Sequence, residues 1–348
     1  MFEKMRGVTM EESKKKIGCC GILMILLVLT AVGILALAAY GYNNVLNKIN
    51  RVEGTEPTLS HEEIESIENE TDPPEEIPED ATVMEEETLS AEQAELIAKG
   101  EHIVNILLIG QDRRPGEGRT RSDSMILCTI NTQKKTLVMT SFLRDLYVDL
   151  PDWNGRSYQD NRLNACYAFG GMGMLDAALK NNFGVQVDHN LEVDFGSFKE
   201  IIEIFGGVNI TLTQAEANYL GGGLKEGSNF LNPEQALNYS RIRYLDSDFG
   251  RTNRQRKVLT SLLSSVKGMS YDQLTNLVNR ILPMMTTDMT NADITNYMVK
   301  ILPILSQLEI TTQSIPASGT YNSCYVRGMA VLVPDLAANR AILRDTLN

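Results

Sequence analysis

Five cysteines in 348 residues leave little material for a disulfide framework or a thiolate metal centre. Cys19 and Cys20 are adjacent, while Cys128, Cys166 and Cys324 are widely spaced. Those three match no metal-binding frame, and three cannot all pair within one chain. Cys128 lies in an apolar run and reads as a core residue; a Cys166–Cys324 bridge stays open. There is no internal repeat, which argues against a solenoid or propeller. Aromatic residues are 6% of the chain, and none forms a stacking platform among the basic residues described below. That counts against nucleic acid as a partner. Two further absences divide the chain. Ile17 to Tyr40 carries no charged residue, and residues 53 to 101 hold a single Lys or Arg, Lys99, against 18 acids.

The uncharged run is made mostly of Leu, Ile, Val, Ala and Gly. As a helix its 24 residues would span roughly 36 Å, enough for a ~30 Å hydrocarbon core with some tilt. Lys4, Arg6, Lys14, Lys15 and Lys16 precede it, and acid dominates after Lys48 and Arg51. The positive-inside rule therefore predicts a cytoplasmic tail over 1–16, a single-pass membrane helix over 17–40, and an extracellular remainder. The competing reading is a cleaved signal peptide, since Ala36-Leu37-Ala38 imitates a cleavage site. The apolar run is longer than a usual signal core, which favours an anchor. Cys19 and Cys20 would then sit at the cytoplasmic edge, a place suited to palmitoylation.

The acidic stretch, with Pro57, Pro73, Pro74 and Pro78, repels itself and offers little to bury. Residues 41–101 are accordingly predicted to be a largely flexible acidic linker, with a short helix over Leu89–Lys99 capped by Ser90. Residues 102–348 hold 24 acids and 24 Lys plus Arg. The net charge of −13 thus belongs to the linker and says nothing against anionic ligands of the folded part. That part alternates strands and helices. Apolar runs at Ile103–Ile109, Met125–Ile130 and Thr136–Phe142 predict strands, the last two joined as a hairpin through residues 131–135. Leu163–Phe183 has helical character interrupted by glycine. Leu191–Phe195 and Val208–Leu212 read as strands around a helix over Ser197–Phe205, which Gly206-Gly207 stops. The expected fold class is α/β, with a mixed central sheet flanked by helices.

Arginine is concentrated in two places. Arg113, Arg114, Arg119 and Arg121 are interleaved with Asp112 and Asp123 in the loop after the first strand. Arg241, Arg243, Arg251, Arg254 and Arg256 crowd into sixteen residues. Guanidinium forks match phosphate oxygens. If extended, Arg241 and Arg243 share one face. A helix starting near Arg251 or Thr252 would bring Arg251, Arg254 and Gln255 onto one face, close to the positive end of its dipole. Asp112 and Asp123, brought together with phosphate oxygens and water, would suit octahedral Mg²⁺. Ser141 to Asp145 adds Arg144 and Asp145 at the end of a strand. The competing reading of both clusters is solvated salt bridging.

These residues carry a resemblance. Asn105 to Asp112 with Arg114, Arg121-Ser122-Asp123, Arg144-Asp145, Gly206-Gly207-Val208, Gln235-Ala236-Leu237, Arg241-Ile242-Arg243 and Asp248-Phe249-Gly250-Arg251 with Arg254-Gln255 occur in order over about 103–267. Together they resemble the LytR-CpsA-Psr family of cell-envelope proteins. The resemblance implies an extracellular Mg²⁺-dependent phosphotransferase. It would move an anionic glycopolymer, such as teichoic acid or capsule, from a polyprenyl-pyrophosphate carrier to peptidoglycan, with a hydrophobic tunnel for the lipid. Carried over by motif, Asp112 and Asp123 resemble the metal carboxylates. Arg121, Arg144, Arg241, Arg243, Arg251 and Gln255 resemble the pyrophosphate set, with Arg114 and Arg254 beside them. Arg121, Arg144 and Asp145 would stand nearest the chemistry, Asp145 either positioning Arg144 or activating the acceptor. Leu143 departs from the family's usual proline. From about Ser270 onward no motif is legible. Met284, Met285, Met289 and Met298 read as core packing, with a lipid path as the alternative. A pyrophosphatase using water, and a non-catalytic binding or regulatory protein, are the competing functional readings.

Overall fold

The computed structural model describes residues 46–52, 59–72, 82–83, 95–111 and 119–348. The expected membrane span at 17–40, and Asp112 and Arg114, lie outside them. The chain divides into two compact units, 1–47 and 48–348. Only Leu46 and Asn47 of the first are described. Among the described residues no helix is long and apolar enough to cross a membrane.

In the second unit the elements run α1 (His61–Glu68), β1 (Ile103–Gln111), β2 (Ser122–Asn131), β3 (Thr136–Phe142), α2 (Leu163–Phe183), β4 (His189–Asp194) and α3 (Phe195–Ile204). They continue with β5 (Val208–Leu212), α4 (Gln214–Leu220), β6 (Gly227–Leu231), α5 (Pro233–Ser240), α6 (Asp248–Val266), α7 (Tyr271–Ile281) and α8 (Asn291–Ile301). The last elements are β7 (Glu309–Ile315), the hairpin β8 (Tyr321–Val326) and β9 (Met329–Pro334), and α9 (Leu336–Leu347). The central sheet is mixed, as expected. Its main strands lie in the order β4-β1-β2-β3-β7, with β2 antiparallel to both β1 and β3, β4 parallel to β1 and β7 parallel to β3.

Both faces of the sheet are covered, which is why its strands read as continuous apolar runs. One face, with Leu107, Ile109, Leu127 and Phe142, packs on Phe169, Leu175 and Phe183 of α2 and Leu343 of α9. The other, with Val104, Ile126, Ile130 and Met139, packs on Leu259 and Leu263 of α6 and Tyr297 and Ile301 of α8. Each such buried aliphatic or aromatic side chain contributes about 1.5–3 kcal/mol. A separate core under the β5–β6 hairpin joins Ile202, Leu212, Tyr239, Ile242 and Val258. It fixes the loop that carries Arg241 and Arg243 against α6.

Two expectations need revision, and one open question is answered. Within the predicted flexible linker, His61–Glu68 forms a helix with a complete Ser60–Glu63 capping box. Its Ile64 is buried in the main core, so a few apolar residues suffice where a docking surface exists. Of the short helix expected over Leu89–Lys99, the described part, 95–99, is not helical; Ile97 bridges Val185 instead. Cys166 and Cys324 are both buried free thiols, as is Cys128.

One buried acid gives the fold a pH dependence. Asp176 of α2 accepts a 2.8 Å hydrogen bond from Asn190, but its Oδ1 is buried without a partner. Burial pushes its carboxyl up to about 7. The folded state therefore holds a proton that the unfolded chain gives up near pH 4, and stability falls as pH rises from about 4 to 7. Asp176→Asn should remove that fall. Urea titrations at pH 5 and pH 8 should show the variant more stable at pH 8, by on the order of 2–4 kcal/mol.

Candidate phosphate-binding cleft

Asp123 is placed by an irregularity in the sheet. Gly110 pairs with Ser124 and Gln111 with Ser122, so Asp123 is the extra residue of a β-bulge. A bulge re-aims the side chain it frees. It also needs close backbone approach, because a Cβ on Gly110 would stand 3.0 Å from that of Ser124. Ser124, released toward α6, donates a 3.0 Å hydrogen bond to Gln255.

Three arginines converge on Asp123 from three elements. Arg144 follows β3, whose end is extended by Leu143 donating its amide to Ile315 at 2.9 Å, a bond proline would lack. Arg144 Nη1 lies 3.4 Å from Asp123 Oδ1, and its Nε lies 3.4 Å from Asp145. Arg243 Nη2 is also 3.4 Å from Asp123 Oδ1. Arg251, in the first turn of α6, donates from Nη2 to the Asp123 carbonyl at 3.4 Å. These distances exceed those of tight ion pairs, so the charges are gathered without being saturated. Both side-chain contacts of Asp123 fall on Oδ1.

Arg251 is the most confined of the three. It is 2% exposed and pairs with Asp248 at 2.7 Å, yet its Nε and Nη1 are buried without partners. Asp248 Oδ2 is likewise unpartnered. Burial pushes the Asp248 carboxyl up and the Arg251 guanidinium down, so the ion pair does not recover the cost of its desolvation. At Arg144 burial also works against the charge, but the carboxylates of Asp145, Asp248 and Asp123 outweigh it and raise its pKa.

Asp123 stands between two clefts. One, of about 520 Å³, is lined by Arg241, Arg243, Arg251, Gln255 and Tyr219. The other, of about 650 Å³, is lined by Arg121, Arg144, Asp145 and Arg162. Arg241 lies over the Phe195 ring at 4.6 Å, a cation–π contact that holds its head at the rim. Arg121 pairs with Glu70 and donates to the Ile67 carbonyl, so the docked linker segment meets its charge. Arg119 is turned away, donating to the carbonyls of Ala168 and Phe169.

Arg254 does not face either cleft. It is 3% exposed, bound to Glu216 at 2.8 Å, to Asp246 through both terminal nitrogens at 3.0 and 2.6 Å, and to the Ile242 carbonyl. The helix begins at Asp248, three residues before the first of the two expected starts, and Arg241 and Arg243 lie in a turn rather than a strand. Gly250 allows this turn, since a Cβ there would stand 2.1 Å from Asp246. Sequence reasoning missed Arg162, which lies 3.6 Å from Asp145 and also pairs with Asp72; no motif surrounds it. It took Asp248 only as part of the motif ahead of Arg251 and gave it no role, although an acid three residues before an arginine at a helix start is the available signal.

No group of three or more metal-ligating side chains occurs among the described residues. The free Asp123 Oδ2 still suits a cation that takes one or two carboxylates and completes its shell with phosphate oxygens and water.

Comparison with known proteins places the chain in a family. The transferase named polyisoprenyl-teichoic acid–peptidoglycan teichoic acid transferase TagU, from Bacillus licheniformis, is 37% identical over 173 residues, 49% of this chain and 54% of its own. The chain thus spans about half the length of the curated relatives it matches. A solved Streptococcus agalactiae protein superposes with TM-score 0.59 at 25% identity, covering 70% of this chain and 88% of its own. B. subtilis TagV gives 0.57 at 26%, covering 72% and 97%. The LytR_cpsA_psr family model matches residues 75–343, and the chain belongs to the LytR-CpsA-Psr family.

Proposed function

We propose that this protein is a membrane-anchored phosphotransferase. It would move an anionic glycopolymer from a polyprenyl-pyrophosphate carrier to a hydroxyl of peptidoglycan, on the outer side of a membrane held by residues 17–40. The observation that carries the reading is Arg251, buried in the cleft wall with two unpartnered donors beside Arg243 and Arg144. Such donors are costly unless an anion completes them. The named activity of the TagU relatives supports the same reaction class.

In this reaction the acceptor hydroxyl oxygen bonds to the phosphorus that bears the polymer, and the bond from that phosphorus to the polyprenyl phosphate oxygen breaks. The hydroxyl proton leaves to a base or to solvent. Arg243 and Arg251 would hold the pyrophosphate oxygens, and Arg144 would stabilise charge on the leaving phosphate. Asp145, set between Arg144 and Arg162, would keep the Arg144 fork in place. Asp123, with Asp112, would hold Mg²⁺, whose chemistry there is to neutralise charge on the phosphate oxygens. Arg114 would reinforce the pyrophosphate set.

The test uses the full chain in detergent with a lipid-linked oligosaccharide, Mg²⁺ and a glycan acceptor. A glycan–phosphate–glycan product is expected, and Arg243→Ala should lower its rate by about 10²-fold or more. Release of glycan phosphate and polyprenyl phosphate with no acceptor labelling would instead make the protein a pyrophosphatase.

A further inference from the structure

A separate groove, of about 710 Å³, lies along another face of α6. Arg251 and Gln255 line the cleft described above, whereas Asn253, Arg256, Lys257, Thr260 and Ser264 line this groove. That spacing is one helical stripe. The facing wall comes from Asn209 and Thr211 of β5 and Thr312 of β7. No carboxylate among the described residues lines it.

Arg256 is its unusual member. It is 7% exposed, donates one 2.9 Å hydrogen bond to Ser314, and forms no ion pair with any carboxylate among the described residues. Its Nε is buried without a partner. Burial alone, with no compensating acid, brings its guanidinium down to about 10. A buried cation in that state is expensive to keep unless something anionic completes it. The contrast with Arg254, two residues earlier and held by two acids, is direct.

We propose that this groove is a second anion site, taking a phosphodiester-linked polyol or sugar chain. Arg256 meets the phosphodiester, and the amides and hydroxyls of Asn209, Asn253, Thr260 and Thr312 meet the hydroxyl groups between phosphates. One buried charge suits a monoanion, whereas the three arginines of the first cleft suit a pyrophosphate. Neutral donors and acceptors around that charge suit a polyhydroxylated chain. That the bound chain is the polymer being transferred rests on the reaction proposed above; the binding itself does not.

The experiment is hydrogen–deuterium exchange of the full chain in detergent, titrated with a glycerol-phosphate oligomer. The oligomer should protect residues 209–211 and 253–265. Arg256→Gln should weaken that protection about tenfold or more. Asn253→Asp, an exposed position, adds a carboxylate to the lining and should weaken it similarly while leaving the fold intact, so it decides the matter if Arg256→Gln does not fold. A carboxylate-bearing muropeptide should not protect the groove. The inference is overturned if the oligomer protects neither segment, if the folded variants bind like the wild type, or if the muropeptide protects equally. Because no turnover is read, protection without transfer would count against the reaction alone, and transfer without protection against the groove alone.

Discussion

Asp123→Ala should lower the glycan transfer rate by 10²–10³-fold, on the order of the loss when one preorganised electrostatic group is removed. Little change in stability is expected, because Asp123 is the bulge residue and its side chain is part-exposed. The variant leaves Arg144 and Arg243 without their shared carboxylate, while Arg251 keeps its contact with the backbone carbonyl of residue 123. Affinity for an anionic substrate analogue should therefore hold or rise while turnover falls, a combination a general loss of structure would not produce. Asp123→Asn, which keeps the shape, should fall as far. Steady-state transfer together with analogue titration reads both quantities. Near-normal turnover in either variant would remove Asp123 from the chemistry.

Arg254→Ala should act on the fold instead. Truncation leaves Glu216, itself 4% exposed, as a buried carboxylate without its cation, and frees the Asp246 turn. Breaking a buried pair from one side costs about 3–5 kcal/mol. Urea unfolding should show that loss, and the double variant with Glu216→Ala should lose less than the sum of the single changes. If Arg254→Ala kept the wild-type midpoint and lost only turnover, Arg254 would belong in the cleft after all.

The pair of arginines, Arg251 and Arg254, shows what was legible in the sequence. Both sit on one helix at a spacing that shares a face, and both are arginines near acids. Their separation into site and scaffold depends on Glu216, 38 residues away from Arg254, approaching through a helix that pattern reading did not register. The central strands were legible because burial on both sides makes them uniformly apolar. The β2–β3 hairpin was legible because its connection is short and polar. The docked helix His61–Glu68 was not, since its composition is that of a solvated linker and only Ile64 and its neighbours meet the core. The groove beside Arg256 was equally hidden. Its walls come from α6, β5 and β7, and nothing in local spacing marks an arginine that lacks an acid.

The bulge at Asp123 also separates two kinds of tolerance. A strand alternates its side chains with period two, so a slip of one residue would ordinarily invert the whole buried face. Here the phase break lies between Ser122 and Ser124, ahead of the core residues Met125 to Ile130. Deleting the single residue at 123 would close the ladder into regular pairing and leave those core residues in phase. The sheet can therefore lose this position and stay assembled, while the convergence of three guanidiniums loses its common point. The bulge works as a mechanical clutch, letting the reach of the site vary without transmitting a change of register into the layers beneath.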